Sequence, residues 1–198
     1  MKPSLARRVV VGAVITAALL SPGVAAADEP DEIRILFPHR GPTEFTDTFG
    51  ASRSGGRSHQ GNDLMTEKMT PVVAVADGVV IEVRTDQHPL AGYSVVIDHG
   101  DGLTTHYLHL NNDTPGSDDG AATFDMTFAS GLHVGQRVKA GEQIAWSGDS
   151  GNAEWTGPHT HFELRINDSA INPYPYLVAA WERYRWAILI ETGAVPFR

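Results

Sequence analysis

The sequence predicts a mainly β fold, an antiparallel β-roll or sandwich built around a groove, and three observations predict it. Short apolar runs follow one another at residues 70–83, 93–98, 103–110, 134–138, 143–147 and 160–166. Turn signals rich in Gly and Asp bound them, among them Asp77-Gly78, Gly100-Asp101-Gly102 and Lys139-Ala140-Gly141-Glu142. Strands at this spacing read as one antiparallel β domain. No sustained 3.6-residue period precedes the C-terminal stretch. With 198 residues, of which 41% are hydrophobic, the chain can bury a core of its own.

The first 27 residues read as a secretory signal peptide. Lys2, Arg7 and Arg8 form a positive start, and residues 9–20 carry no charge. Pro22-Gly23 break the run, and Ala25-Ala26-Ala27 offer the small residues of a cleavage site before the first acid, Asp28. A retained membrane anchor is the weaker reading, because the apolar stretch is barely long enough to span and contains that break. Residues 28–48 form an acidic, Pro-containing lead. Residues 49–177 hold the β domain, and residues 178–198 form an extension whose Trp181, Tyr184, Trp186, Ile188 and Leu189 predict a helix packed on the sheet.

Within the β domain, residues 70–83 hold two strands around Asp77-Gly78, and residues 134–147 hold two around the Lys-Ala-Gly-Glu turn. The polar stretch 111–130 is longer than most hairpin loops. Its acids, Asp113, Asp118, Asp119 and Asp125, match no standard calcium spacing and read as a solvated loop.

Composition excludes several function classes. The absence of cysteine removes disulfide scaffolds, thiol catalysis, Cys-ligated zinc and lipoprotein anchoring. Loss of Lys2, Arg7 and Arg8 with the leader takes the formal charge from −9 to −12. That balance excludes nucleic acid as a partner. It also means that charge does not drive docking onto an anionic wall polymer. Once the leader is gone, nothing in the sequence predicts stable membrane insertion, and no oligomeric state is specified.

The nine histidines separate into candidates and bystanders. In Thr160-His161-Phe162-Glu163-Leu164-Arg165-Ile166 polar and apolar residues alternate, so His159, His161, Glu163 and Arg165 share one face and Phe162, Leu164 and Ile166 point to the core. Two imidazoles at i and i+2 on a wet face suit metal ligation or proton handling. His59 and Asp63, four apart with Gly61 between them, add a nitrogen and an oxygen donor at a bend. His106 and His109 are three apart and face opposite sides of a regular strand, so at most one serves the site unless a bulge intervenes. Two histidines and a carboxylate leave one zinc position open to water, as in a catalytic site. His39, His88, His99, His106 and His133 read as satisfied core or surface residues.

Taken together, His59-x-x-x-Asp63, Tyr107-x-His109-Leu110 and Gly157-Pro158-His159-x-His161-Phe162-Glu163 resemble the signatures of the lysostaphin/LytM-type zinc metallopeptidases, peptidase family M23. The course of residues 70–80 and 135–144 between them is also similar to that family. The resemblance implies Zn²⁺ held by His59, Asp63 and His161, with His109 and His159 as the catalytic pair that handles protons and stabilises the oxyanion. It therefore favours His109 over His106. It further implies a secreted endopeptidase that cuts peptide bonds of bacterial peptidoglycan in cross-bridges or stem peptides. Zinc makes hydroxide available near neutral pH, and imidazole suits both acceptance and return of a proton. Thr160 and Asn62 replace residues that are usually apolar in the family, and neither is a donor to the metal. The stretch 111–130 and the insertion Ala153-Glu154-Trp155 lie beside site residues and line the groove, where they bear on substrate preference.

Two other classes compete. A LytM-like non-catalytic regulator of wall hydrolases would bind peptidoglycan or a partner, and the presence of all five site residues argues against it. A biotinyl- or lipoyl-type carrier, with Lys68 as the modified residue, leaves His59, Asp63, His109, His159 and His161 without a role.

Overall fold

A computed structural model describes residues 33–193. The predicted leader, the first residues of the lead and the last five residues lie outside the described residues. The elements run β1 (Asn62–Met65), β2 (Pro71–Val73), β3 (Gly78–His88), β4 (Gly92–Gly100), β5 (Leu103–Leu108), α1 (Phe124–Thr127), β6 (Arg137–Val138), β7 (Gln143–Trp146), β8 (His159–Ile166), β9 (Ser169–Ile171) and α2 (Tyr174–Thr192). Seven strands form one antiparallel sheet in the order β1-β8-β5-β4-β3-β6, with β9 on the end of β8. β2 and β7 form a second, two-stranded sheet.

The core explains this division. Val80 of β3, Val95 and Ile97 of β4, Tyr107 of β5 and Phe162 of β8 turn one face of the large sheet inward, and Val72, Ile144 and Ala145 of the small sheet meet them. Burial of each such side chain stabilises by about 1.5–3 kcal/mol. Strands flank both expected turns, and at each turn the two strands find different partners. The strands flanking Asp77-Gly78 are not a hairpin: β2 pairs with β7, and β3 with β4 and β6. The strands flanking Lys139-Ala140-Gly141-Glu142 also part, β6 to β3 and β7 to β2. In each case the turn carries the chain from one sheet to the other, because both strands have an apolar face and each face needs its own partner.

Residues 33–45 are packed into this body. Ile35 and Phe37 are buried, and His39 bridges Val72. The Phe37 ring lies 4.7 Å from that of Trp181, and the Arg183 guanidinium donates to the Ile35 carbonyl at 2.8 Å. Helix α2 starts at Tyr174, ahead of the predicted position 178. Asn172 accepts from the Tyr174 amide at 2.9 Å, and Pro175 sits in the first turn, where its missing N–H costs nothing. Leu177 and Ala180 bury the inner side of α2, whereas Trp186 and Ile190 stay exposed. Among the described residues no helix is long and apolar enough to cross a membrane.

Candidate active site

β8 is flanked by β1 and β5, and this neighbourhood assembles the site. The β1–β8 register sets Asp63 directly opposite His161 and Met65 opposite His159. The β5–β8 register sets Leu108 opposite His161 and His106 opposite Glu163. His59 arrives from the preceding loop, whose amide and carbonyl are fastened to Ala51 and Gly50. Gly61 is required at the bend: a Cβ there would strike the Phe162 carbonyl and come within 2.9 Å of His161 Nε2. The chain can therefore lie against β8 only without a side chain at this position.

His59 Nε2, His161 Nδ1 and Asp63 Oδ1 converge. The two nitrogens are 2.8 Å apart and each is 3.0 Å from the carboxylate oxygen. The outer ring nitrogens decide the tautomers. His59 Nδ1 must donate to the Thr48 carbonyl at 2.8 Å, and His161 Nε2 must donate to Glu163 Oε1 at 3.0 Å. Neutral imidazoles then aim two bare lone pairs and one carboxylate oxygen at a common point, an arrangement that a cation satisfies. These three residues would hold a metal ion between them. A proton can take the cation's place on these nitrogens, and each then donates to Asp63. Burial alone would lower the His161 pKa, but hydrogen bonds to Asp63 and Glu163 outweigh it and raise the value. Burial alone would raise the Asp63 carboxyl, but its bonds to His161 and His59 hold it well below the usual carboxylate range.

His109 and His159 complete the cluster, with ring centres 5.0 Å apart. His109 lies just beyond the end of β5 with φ +60°, a left-handed conformation uncommon for a residue other than glycine. This kink breaks the alternation, so His109 and His106 turn to the same side of the sheet. His109 Nδ1 donates to the Ser150 carbonyl at 2.9 Å, and His159 Nδ1 to the Gly157 carbonyl at 2.8 Å. Both Nε2 atoms are left for the groove, that of His159 3.8 Å from Asp63 Oδ1. Burial, then the neighbouring His159 and His161, lowers the His109 pKa to about 3. The groove over these residues has a volume of about 660 Å³ and is also lined by Arg57, Met65, Leu90 and Thr156.

A family model, peptidase family M23, matches residues 57–173. That is more than half of the chain and contains the whole cluster. The chain belongs to peptidase family M23. An M23 relative, the peptidoglycan DD-endopeptidase ShyA of Vibrio cholerae, is 36% identical over 114 residues, which are 58% of this chain and 22% of the relative. The chain thus spans about a fifth of the length of the curated relatives it matches. Among solved structures, a zinc-containing peptidase from Vibrio cholerae aligns with TM-score 0.53 and 32% identity over 68% of this chain and 37% of that one. The catalytic domain of the antimicrobial peptidase lysostaphin from Staphylococcus simulans aligns with TM-score 0.54 and 27% identity, over 69% of this chain and 92% of that domain.

All five candidate residues of this M23 chain meet in one groove, and the structure adds others that sequence reasoning passed over. Glu163, placed on the wet face but given no role, grips His161 and is itself held by Arg165 at 2.6 Å. Arg53 binds the second oxygen of Asp63 at 2.6 Å. A carboxylate two residues after a candidate ligand histidine on the same strand face was a legible signal for the first. Nothing local pointed to Arg53, which reaches Asp63 only through the folded loop. Ile166, expected in the core, is 36% exposed at the strand end. Thr160 is fully buried and bonds to His39 Nε2 at 3.0 Å, while His39 Nδ1 meets Thr43 at 3.0 Å. His99 is satisfied by Thr105 and the Asp77 carbonyl, and His133 by the Gly131 carbonyl. His106 lies at the edge of the site, 4.0 Å from Glu163, and not on the far face.

Proposed function

We propose that this M23 chain is an exported zinc metalloendopeptidase that hydrolyses peptide bonds of bacterial peptidoglycan. One observation carries the reading: two imidazoles with fixed tautomers and one carboxylate turn proton-free donors to a single point, beside two further imidazoles with uncommitted Nε2 atoms. Two nitrogens and one oxygen, without sulfur, suit zinc with a position left open. When bound, the ion supplies Lewis acidity and acidifies water near neutral pH.

The chain's own residues do the rest. Glu163 and the Thr48 carbonyl hold His161 and His59 in the ligating tautomer. Arg53 keeps the outer oxygen of Asp63 occupied. His109 and His159, anchored through Nδ1, present Nε2 to accept a proton, or to donate one to a developing oxyanion and a leaving amine. The peptidoglycan substrate is supported by the chemistry named for ShyA, and export by the basic, apolar and small-residue order of residues 1–27.

The test combines metal analysis of the purified chain with peptidoglycan digestion by wild type and His161→Ala. One equivalent of zinc and new peptide ends from wild type alone are expected. Absence of both zinc and released ends overturns the enzyme reading, and zinc without turnover turns it into a binding or regulatory one.

A further inference from the structure

The charges that line the groove are paired, with one exception. Arg53 is bound to Asp63 at 2.6 Å, Asp63 also meets His59 and His161, and Glu163 is held between His161 and Arg165. Arg57 faces no carboxylate among the described residues. Its Nε donates to the Ser54 carbonyl at 3.1 Å and its Nη2 to the Ser54 hydroxyl at 3.2 Å. Both acceptors are neutral, and both sit on the tight turn Ser54–Gly56 that precedes it. They orient the guanidinium and leave its other N–H groups free.

Arg57 is exposed and lines the same groove as His59 and His161. It lies two positions before His59, so their Cα atoms are at most ~7 Å apart. A group bound by Arg57 therefore belongs to a substrate that lies in the groove over the three converging donors. The chain as a whole carries −9, so it does not attract anions at long range. A single oriented guanidinium in the cleft acts instead at contact distance, where its planar fork matches a carboxylate.

We propose that Arg57 is a specificity residue that receives a carboxylate of the substrate bound in this groove, so that the enzyme selects carboxylate-bearing peptides over uncharged ones such as glycine bridges. The proposal rests on the endopeptidase reading above and deepens it. The carboxylate can come from a side chain or from a free chain terminus. Arg57→Gln keeps polarity and removes the charge, while Arg57→Lys keeps the charge and loses the fork.

The experiment measures kcat and KM for wild type, Arg57→Gln and Arg57→Lys, each zinc-loaded. Three stem-peptide substrates are used: one with a free terminal carboxylate, one with only a side-chain carboxylate, and one with both amidated. Wild type is expected to favour one acidic substrate over the diamide by about 10-fold in kcat/KM, chiefly through KM, as for a charge-assisted hydrogen bond. The favoured substrate identifies the source of the carboxylate. In Arg57→Gln the ratio falls to about one, and Arg57→Lys retains part of it. A purely structural hold on Ser54 would lower all three substrates alike and leave the ratio standing, and that result overturns the proposal. So does a wild type indifferent to amidation, although the endopeptidase reading then survives. If none of the three substrates is cut, the endopeptidase reading fails and this proposal with it.

Discussion

The Lys68 ammonium sits 2.6 Å from Asp113, a carboxylate 45 residues further along the chain. It also reaches Asp118 at 2.6 Å and Asp149 at 2.9 Å. Lys68 therefore ties the long loop after β5 to the segment after β7, and one internal cation fills the place between three acids. Its amine is committed to this tether. Burial alone would lower the Lys68 pKa, but the three carboxylates outweigh it and raise the value.

Lys68→Ala is expected to destabilise the protein by about 2–4 kcal/mol, because Asp113 and Asp149 are left buried without a counter-charge. Burial already raises the Asp149 carboxyl. In the variant its folded pKa rises further above the unfolded one, so the folded state binds more protons and stability returns as pH falls. Urea titrations at several pH values check both the loss and its acid recovery.

Among the described residues His39 has no charged partner to offset its burial, which lowers its pKa to about 3 from 6.5. Between those values the unfolded chain is protonated at this position and the folded chain is not. Stability is therefore complete above the unfolded pKa and is lost as pH falls towards the folded one. The loss amounts to at most about 1.4 kcal/mol per pH unit from this residue. His39→Gln is expected to start less stable and to lose less on acidification over that window. Parallel slopes in wild type and variant would contradict this.

His109→Asn is expected to keep zinc and lose turnover by about 100- to 10,000-fold, the range for removal of a proton-transfer group. Asparagine tolerates the left-handed backbone at this position, so the substitution tests the imidazole and not the kink. His106→Ala, which touches the site only at its margin, is expected to remain active. Zinc content and peptide release are the measurements. A dead His106→Ala beside an active His109→Asn would reverse the assignment.

Chelation is expected to lower the Tm. Zinc at 1,000 times its dissociation constant adds about 4 kcal/mol through binding to the folded state alone. In Asp63→Asn the cluster loses its negative charge, and the shift between chelated and zinc-loaded samples should shrink. Thermal scans with and without chelator check this, and equal shifts in the two proteins would count against Asp63 as a ligand.

Much of the candidate site was legible because its signals are local. Alternation along residues 159–166 put His159, His161 and Glu163 on one face, and β8 keeps them there. Other parts were not. His106 and His109 were separable only by the kink at His109, which is invisible to a count by twos. Glu163 read as one more polar residue until its contact with His161 gave it work. His39 read as a satisfied core or surface residue, and only the fold made it a core one, buried against Thr160.

The sequence by itself determined the β class, the single core and the short spacings that bring candidate donors forward, because each depends on residues within one strand or turn. Only the tertiary structure decided which strands pair, since Asp77-Gly78 and the Lys-Ala-Gly-Glu turn separate sheets instead of joining hairpins. It also decided that Asp63 lies opposite His161, that Arg53 closes over Asp63, and that Arg57 lines the groove with no carboxylate partner among the described residues. Those relations join positions up to a hundred residues apart, and their geometry is set by where buried faces find partners, which no local pattern encodes.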